Sequence, residues 1–526
     1  MENLFLKNAV HYGVQTENGA KSYATTGKAI IDQFGKAGAY MGRNIDDVWT
    51  DQAMLWAEDP TSALRFPFYL RMITRQTNVS DGKKTETVQR GQGLRDESFK
   101  RLLWIAKYHP DEFYRNLWLV PIVGSWKDLW VLMSMDEHLN HEAFFNVIAN
   151  GIKSESERDL VKKYLPRIRS QKKCTTEWAK KSNELAKEFV GYVGWTYSDY
   201  RKFKSTGKAH EFQRIICSRK YKNIDWKQIP GKALLKLVNG KFLSAHNLED
   251  SYVNWLKAQP VAKFNGYPYE LGAAINGGWY NIPLSKKITV DKQFKALIET
   301  AKKDGSALKG NVLCALDTSG SMNSYVNNNV TAYDVCVSLG IYFSELNEGA
   351  FHNHVVMFDD TSTLLELKGE FTDKWQQIKS ESTAWGSTNL QSIYSLLIET
   401  RKEHPEIPIE EFPSVLLVVS DFQFNATASG KTNNEEGKDR LREVFPDEYV
   451  DNLTEVWWYC SNRHTSDVPA TMEMGGQYVV SGFDGSIITL LLGGTVVDPE
   501  TGENRQLTME ESVEQALNQE VLQLVQ

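Results

Sequence analysis

Cysteine is scarce in this chain. There are five in 526 residues, at Cys174, Cys217, Cys314, Cys336 and Cys460. The number is odd, the spacings are wide and no CxxC pair occurs, which argues against a disulfide framework and against a zinc site. Most are expected to be buried thiols in a reducing compartment. Long apolar runs are also missing. The longest, residues 415–419 and 487–492, fall far short of the ~20 residues that span a bilayer. The N-terminus, MENLFLKNAVHYG, lacks the basic segment, apolar core and small-residue cleavage site of a secretory leader. A soluble, cytoplasmic protein with no membrane partner is expected. Signatures of catalysis are lacking as well. Gly91-Gln92-Gly93 is followed by neither GKS/T nor GxGxxG. No paired carboxylates and no Ser/His/Asp or Cys/His set stand in a supporting context, so no enzyme is expected.

Basic residues are the next scarcity, and a local one. The whole chain has 60 Lys and Arg against 67 Asp and Glu. Residues 311–526 contain 11 of the former and 34 of the latter, whereas residues 1–310 contain 49 and 33. The basic excess peaks over residues 161–240, with 20 basic and 6 acidic side chains. An acidic half joined to a basic half predicts two kinds of partner.

The length allows two to four domains. Residues 1–307 read mainly as helices: Trp178, Leu185, Phe189 and Val193 share one helical face, and residues 99–106, 126–133 and 142–148 read as further short helices. Their apolar faces are too small to stand alone, so helix pairs stacked like HEAT repeats are expected. From residue 308 the pattern changes. Apolar runs at 311–316, 354–358, 362–367, 414–420 and 455–460 alternate with helical stretches at 332–345 and 389–403. Residues 477–480 read as a last central strand. The expected architecture is α + α/β: a helical-repeat domain over 1–307 and a doubly wound, mostly parallel α/β domain over 308–526. Residues 430–437 read as a polar loop insertion. Thr508 and Glu511 form a capping box for a terminal helix running to about residue 524.

Asp317-Thr318-Ser319-Gly320-Ser321 directly follows the apolar run, at the carboxyl end of a strand, where open α/β sheets place their ligands. A hard divalent cation takes oxygen ligands, and Mg²⁺ keeps near-octahedral geometry with several waters. One loop supplies Asp317, Ser319 and Ser321. Gly386-Ser387-Thr388-Asn389 offers Thr388, and Ser420-Asp421-Phe422 ends a strand and offers Asp421. This set resembles the metal-ion-dependent adhesion site of von Willebrand factor A domains, in which DxSxS is followed by a threonine and then an aspartate. The resemblance implies one bound cation, Mg²⁺ or another divalent ion such as Mn²⁺ or Ca²⁺. It also implies an open coordination position for an acidic side chain of a protein partner. The family more often has Thr-Asp-Gly where this chain has Ser420-Asp421-Phe422. His352 and His354 alternate at a strand start and read as structural, and Asp359-Asp360 reads as a turn.

In the basic half, Lys162, Lys163, Arg167, Arg169, Lys172 and Lys173, then Arg201, Lys202, Lys204 and Lys208, then Arg214, Arg219, Lys220 and Lys222 form clusters. Among them lie Trp178, Tyr197, Tyr200, Phe203, Phe212 and Tyr221. Positive charge with aromatic rings suits single-stranded nucleic acid. Solvated helix faces are the plainer interpretation of the charge, and core packing of the rings. Several stretches resemble the Ro autoantigen (TROVE) family: Thr16-Glu17-Asn18-Gly19-Ala20, Asp32-Gln33-Phe34-Gly35, Arg90-Gly91-Gln92-Gly93, Leu119-Val120-Pro121, Gly124-Ser125-Trp126-Lys127-Asp128-Leu129 and Tyr200-Arg201-Lys202. The resemblance implies a ring of HEAT-like helices and a monomeric ribonucleoprotein component. Its partner would be small noncoding or misfolded RNA, held by single-stranded ends. The alternative is a metal-dependent protein-interaction or assembly module, a structural component of a larger particle that binds no RNA.

Overall fold

Runs rich in Val, Leu and aromatic residues become six strands of one sheet: β1 (Val312–Asp317), β2 (His354–Phe358), β3 (Ser362–Glu366), β4 (Val415–Ser420), β5 (Thr454–Tyr459) and β6 (Gln477–Ser481). The structure is a computed structural model. It describes residues 14–37, 43–73, 75–78, 84–205, 211–276, 282–308, 310–327, 329–382, 386–461, 468–470, 476–483, 485, 495–497 and 504–526. The strand order is β6-β5-β4-β1-β2-β3. All neighbours run parallel except β2 and β3, which are antiparallel. Every residue of β1, β4 and β5 is buried, as expected of parallel strands covered on both faces. The chain steps from β1 to β2 on one side and places β4 on the other, so the strand order reverses between β1 and β4. A crevice at that point is where ligands of such sheets bind.

The expected helices near the sheet form at Ala332–Leu346 and Gln391–Glu403. The first opens with a capping box between Thr331 and Asp334, which satisfies two N–H groups left over at the helix start. Three expectations need correction. Residues 433–437 of the expected loop are helical: Thr432 and Glu435 cap the helix Asn433–Arg442, and Asn434 is buried with its amide donating to Glu455 on β5. Tertiary burial overrides the polar composition. β6 lies at the sheet edge rather than its centre. Its five residues are nonetheless buried, because the helix Ala29–Lys36 packs on it, with Ser481 Oγ donating to the Phe34 carbonyl at 3.3 Å. The terminal helix has its Thr508–Glu511 box but ends at Leu517.

The described chain divides into two compact units, Met1–Met41 with Tyr221–Ala516, and Gly42–Lys220 with Leu517–Gln526. The first holds the sheet and helices from both sides of it in sequence. The second is mainly helical, with one hairpin of Arg75–Asn78 and Lys84–Gln89. The expected helices appear there as Arg95–Tyr108, Trp126–Met135, His141–Lys153 and Glu177–Tyr192.

Several stretches that carry the family resemblance have structural work in this helical unit. Gly91 packs under the end of the helix Pro60–Arg71, where a Cβ would lie 2.5 Å from the carbonyl oxygens of Tyr69 and Met72. Gly93 N donates to Met72 O at 2.7 Å and Leu94 N to Leu70 O at 2.6 Å. The GQG turn therefore closes helix carbonyls that would otherwise lack donors. Asp128, fully buried, accepts from Ser125 N at 2.9 Å and pairs with Arg71 at 2.6 Å.

Candidate metal centre and basic surface

Asp317 ends β1, Asp421 follows β4, and both are fully buried. Parallel pairing of β1 with β4 places these strand ends side by side. Ser319 N donates to Asp317 Oδ1 at 2.9 Å, and Ser420 Oγ to Asp317 Oδ2 at 2.5 Å. Ser319 Oγ lies 3.1 Å from Ser321 Oγ. The three loops are tied by their backbones. Gly320 N donates to Gly386 O at 3.3 Å, and Asn425 N to Thr388 O at 2.9 Å. Thr388 is buried and Ser321 half-buried. The turn Asp359-Asp360 supports the middle loop, with Asp360 Oδ1 accepting from Ser387 N at 3.0 Å and the Asp359 carbonyl from Asn389 N at 2.8 Å. His352 and His354 engage backbone carbonyls of Asn347 and His352 through Nδ1.

The departure at Phe422 is absorbed by its backbone. Phe422 has φ 62°, the left-handed region that glycine enters freely and other residues enter at a cost of about 1–2 kcal/mol. Its ring is buried against Phe424 and Tyr459, which offsets that cost and keeps Asp421 in the crevice.

Burial, then the neighbouring charge of Asp421, push the Asp317 carboxyl up to about 7, against hydrogen bonds from Ser319 and Ser420 that favour its charged form. Two buried carboxylates at adjoining strand ends repel, and a divalent cation reverses the sign of that interaction. Two carboxylates with three hydroxyls match the oxygen preference of Mg²⁺, Mn²⁺ or Ca²⁺. Among the described residues no group of three His, Cys, Asp or Glu side chains gathers as a metal cluster, so hydroxyls and water would complete any coordination here. The sequence names Ser420 only as the neighbour of Asp421, whereas its hydroxyl orients Asp317. Sequence reasoning missed Cys336, whose Sγ lies 3.6 Å from Asp317 O and 3.3 Å from Val419 O.

The basic positions separate on inspection. Lys172, Lys173, Arg201, Lys202, Arg214, Arg219 and Lys220 are exposed on the helical unit. Lys222 is exposed but belongs to the sheet-containing unit. Lys208 lies outside the described residues, as does the apolar stretch 487–492. Lys204 is a correction. Its Nζ turns inward and donates to the carbonyls of Leu165 at 2.5 Å and Lys162 at 3.2 Å, and burial lowers its pKa. It serves the fold. Tyr200 is likewise core, with its hydroxyl on Pro166 O at 2.7 Å. Trp178, Tyr192 and Tyr197 are 37%, 43% and 48% exposed, with Lys127 Nζ 5.6 Å over the Trp178 ring and the Phe145 ring 5.6 Å from that of Tyr192. Tyr192 had not been singled out from the sequence, because it sits at a helix end where the periodicity is uninformative.

Residues 311–524 match a family described as "Domain of unknown function (DUF7788)"; the matched span begins one residue before β1 and contains all five candidate ligands. An uncharacterized protein of Acanthamoeba polyphaga mimivirus is 22% identical, over 92% of this chain and 85% of its own length. Among solved structures, a chain titled as the crystal structure of Deinococcus radiodurans RO (RSR) protein is 14% identical. It covers 88% of this chain and 97% of its own, with a TM-score of 0.46.

Proposed function

We propose that this chain is a non-enzymatic RNA-binding protein. Its helical unit, a HEAT-like array, captures single-stranded ends of small or misfolded RNA, and its α/β domain holds one divalent cation at Asp317, Ser319, Ser321, Thr388 and Asp421. The observation that carries the RNA reading is the exposure, on the helical unit, of Lys172, Lys173, Arg201 and Lys202 together with the partly exposed Trp178, Tyr192 and Tyr197 that lie between them in sequence. Cationic groups neutralise phosphates while each ring offers a stacking face worth about 1–3 kcal/mol per base. The double charge reversal Arg201→Glu with Lys202→Glu is expected to weaken binding of a 3′-tailed RNA by at least about tenfold. Lys204→Met is expected to leave the affinity of the folded protein unchanged. Filter binding at fixed salt separates the two. Equal loss in both variants, or none in either, would contradict the assignment.

The cation reading rests on the buried Asp317–Asp421 pair. Burial and the charge of Asp421 raise the Asp317 pKa, so in the cation-free protein it keeps its proton to a higher pH than an ordinary carboxyl, and a ligating carboxylate must lose that proton. Apparent affinity should therefore rise with pH, by up to about tenfold per unit, until Asp317 is ionised, and level off above that. In thermal unfolding, Mg²⁺ is expected to raise the transition temperature more at pH 8 than at pH 5.5. Equal shifts at both values would count against ligation by Asp317.

A second reading, a docking module that binds no RNA, is favoured by Tyr325. It is 66% exposed on the hairpin of Tyr325–Asn327 and Val330–Thr331, just after Ser321. On that reading Asp317→Asn abolishes capture of an acidic protein partner, and the chain shows no affinity for tailed RNA at low salt.

A further inference from the structure

Residues 16–20 lie some four hundred positions from Asp421 in sequence, yet they close over the loop that follows it. Val14–Gln15 pairs with Lys21–Ser22 in an antiparallel hairpin, and Thr16-Glu17-Asn18-Gly19-Ala20 forms its tip. The tip is internally fixed: Thr16 N donates to Ala20 O at 2.9 Å and Ala20 N to Thr16 Oγ1 at 3.0 Å. Gly19 has φ 83°, which a side chain would strain.

From this tip run the contacts that matter. Thr16 Oγ1 donates to Phe424 O at 2.6 Å, and Asn18 Nδ2 donates to Gln423 O at 2.6 Å. Glu17 N donates to Gln423 Oε1 at 2.7 Å. Ala426 N returns a bond to Asn18 O at 3.3 Å, and Gly19 bridges to Asn425. The clamped residues touch the candidate ligands on both sides. Gln423 N donates to Asp421 Oδ1 at 3.3 Å, and Asn425 N donates to the Thr388 carbonyl at 2.9 Å. Between them sits the left-handed Phe422. A buried loop leaving a strand has backbone carbonyls that need donors, and the hairpin tip provides them for Gln423 and Phe424. Ala20 and Tyr23 add their side chains to the core beneath.

We infer that the hairpin tip is a positioning strap for the cation site: Thr16 and Asn18 hold the 423–426 segment so that Asp421 and Thr388 face the cation. The strap is not itself a ligand. The inference rests on the cation reading above, and the test separates the two. Mn²⁺ binding to the full-length protein is measured by electron paramagnetic resonance, well below the unfolding temperature. Unfolding of the cation-free protein is followed in parallel. Thr16→Val, which keeps the shape and removes the hydroxyl with its bonds to Phe424 O and Ala20 N, should weaken Mn²⁺ about three- to tenfold, the share of the one bond that reaches the 423–426 segment. Thr16→Ser should restore the affinity, and a bound-Mn²⁺ spectrum altered in Thr16→Val should return with it. A purely structural strap would lower the unfolding temperature and leave both the affinity and the spectrum of the folded protein alone, which would overturn the inference. Should Thr16→Val fail to fold, Asn18→Ala gives the same reading. No Mn²⁺ binding by the unaltered protein would defeat the cation reading itself, and the strap with it.

Discussion

Asp317→Asn is expected to abolish measurable divalent-cation binding, a loss of more than about a hundredfold, without unfolding the protein. The magnitude follows from position. Even partners that only orient a metal ligand contribute about ten- to hundredfold to affinity, and Asp317 would be a ligand itself. The survival of the fold follows from electrostatics. Asparagine keeps an oxygen to accept from Ser319 N and removes a buried charge that burial and Asp421 both disfavour. In the absence of cation the variant should therefore unfold at the same temperature as the parent or higher. Isothermal titration with Mg²⁺ reads the first effect and thermal unfolding in EDTA the second. A variant that still binds, or that collapses without cation, would contradict the assignment of Asp317.

Glu97→Ala is expected to cost the helical unit about 3–5 kcal/mol, because it strands a buried positive charge. Arg101 has no exposed surface and Glu97 is 1% exposed. Arg101 Nη2 meets Glu97 Oε1 at 3.0 Å and its Nη1 meets Gln52 Oε1 at 3.1 Å. Arg43 bonds Glu97 at 3.3 Å and Asp51 at 2.6 Å. The group joins the helices Ile45–Glu58 and Arg95–Tyr108, and the Arg101 guanidinium also lies 5.0 Å from the centre of the Phe66 ring. Burial lowers the pKa of Arg101, with the charge of Glu97 acting in the opposite sense, so deleting Glu97 removes the compensation and leaves the desolvation. Urea denaturation followed through the helical signal measures the loss. A change below about 1 kcal/mol, the range of surface pairs, would mean that the unit relaxes to let water reach Arg101.

What could be read ahead of the structure follows from how local each signal is. Asp317, Ser319 and Ser321 share one loop, and the apolar run before them announces the strand end that carries them. The strand that delivers Asp421 is equally plain in residues 414–420. Parallel pairing of two such strands then needs no further information. Phe422 is different: its φ is tolerable only because Tyr459 and Phe424 receive its ring, a fact about packing. Lys204 shows the same limit. A lysine among lysines looks like surface charge, and only the position of the helix Tyr197–Ser205 over the carbonyls of Lys162 and Leu165 turns it inward. The helix Asn433–Arg442 is polar along most of its length, so periodicity is silent, and the Thr432–Glu435 box was the one local sign of it. Residues 16–20 carried a family resemblance but no physical signal of their role, because their bonding partners lie four hundred residues away.

The most direct test of the proposed function is the affinity of the full-length protein for a structured RNA bearing a single-stranded 3′ tail, against a blunt duplex, across a salt series. The account predicts tighter binding of the tailed RNA. It also predicts a log–log salt slope of several units, since each neutralised phosphate of a single strand contributes about 0.7. Equal affinity for the two RNAs, or no binding at low salt, would contradict RNA capture and leave the cation centre and its strap as the functional part of the molecule.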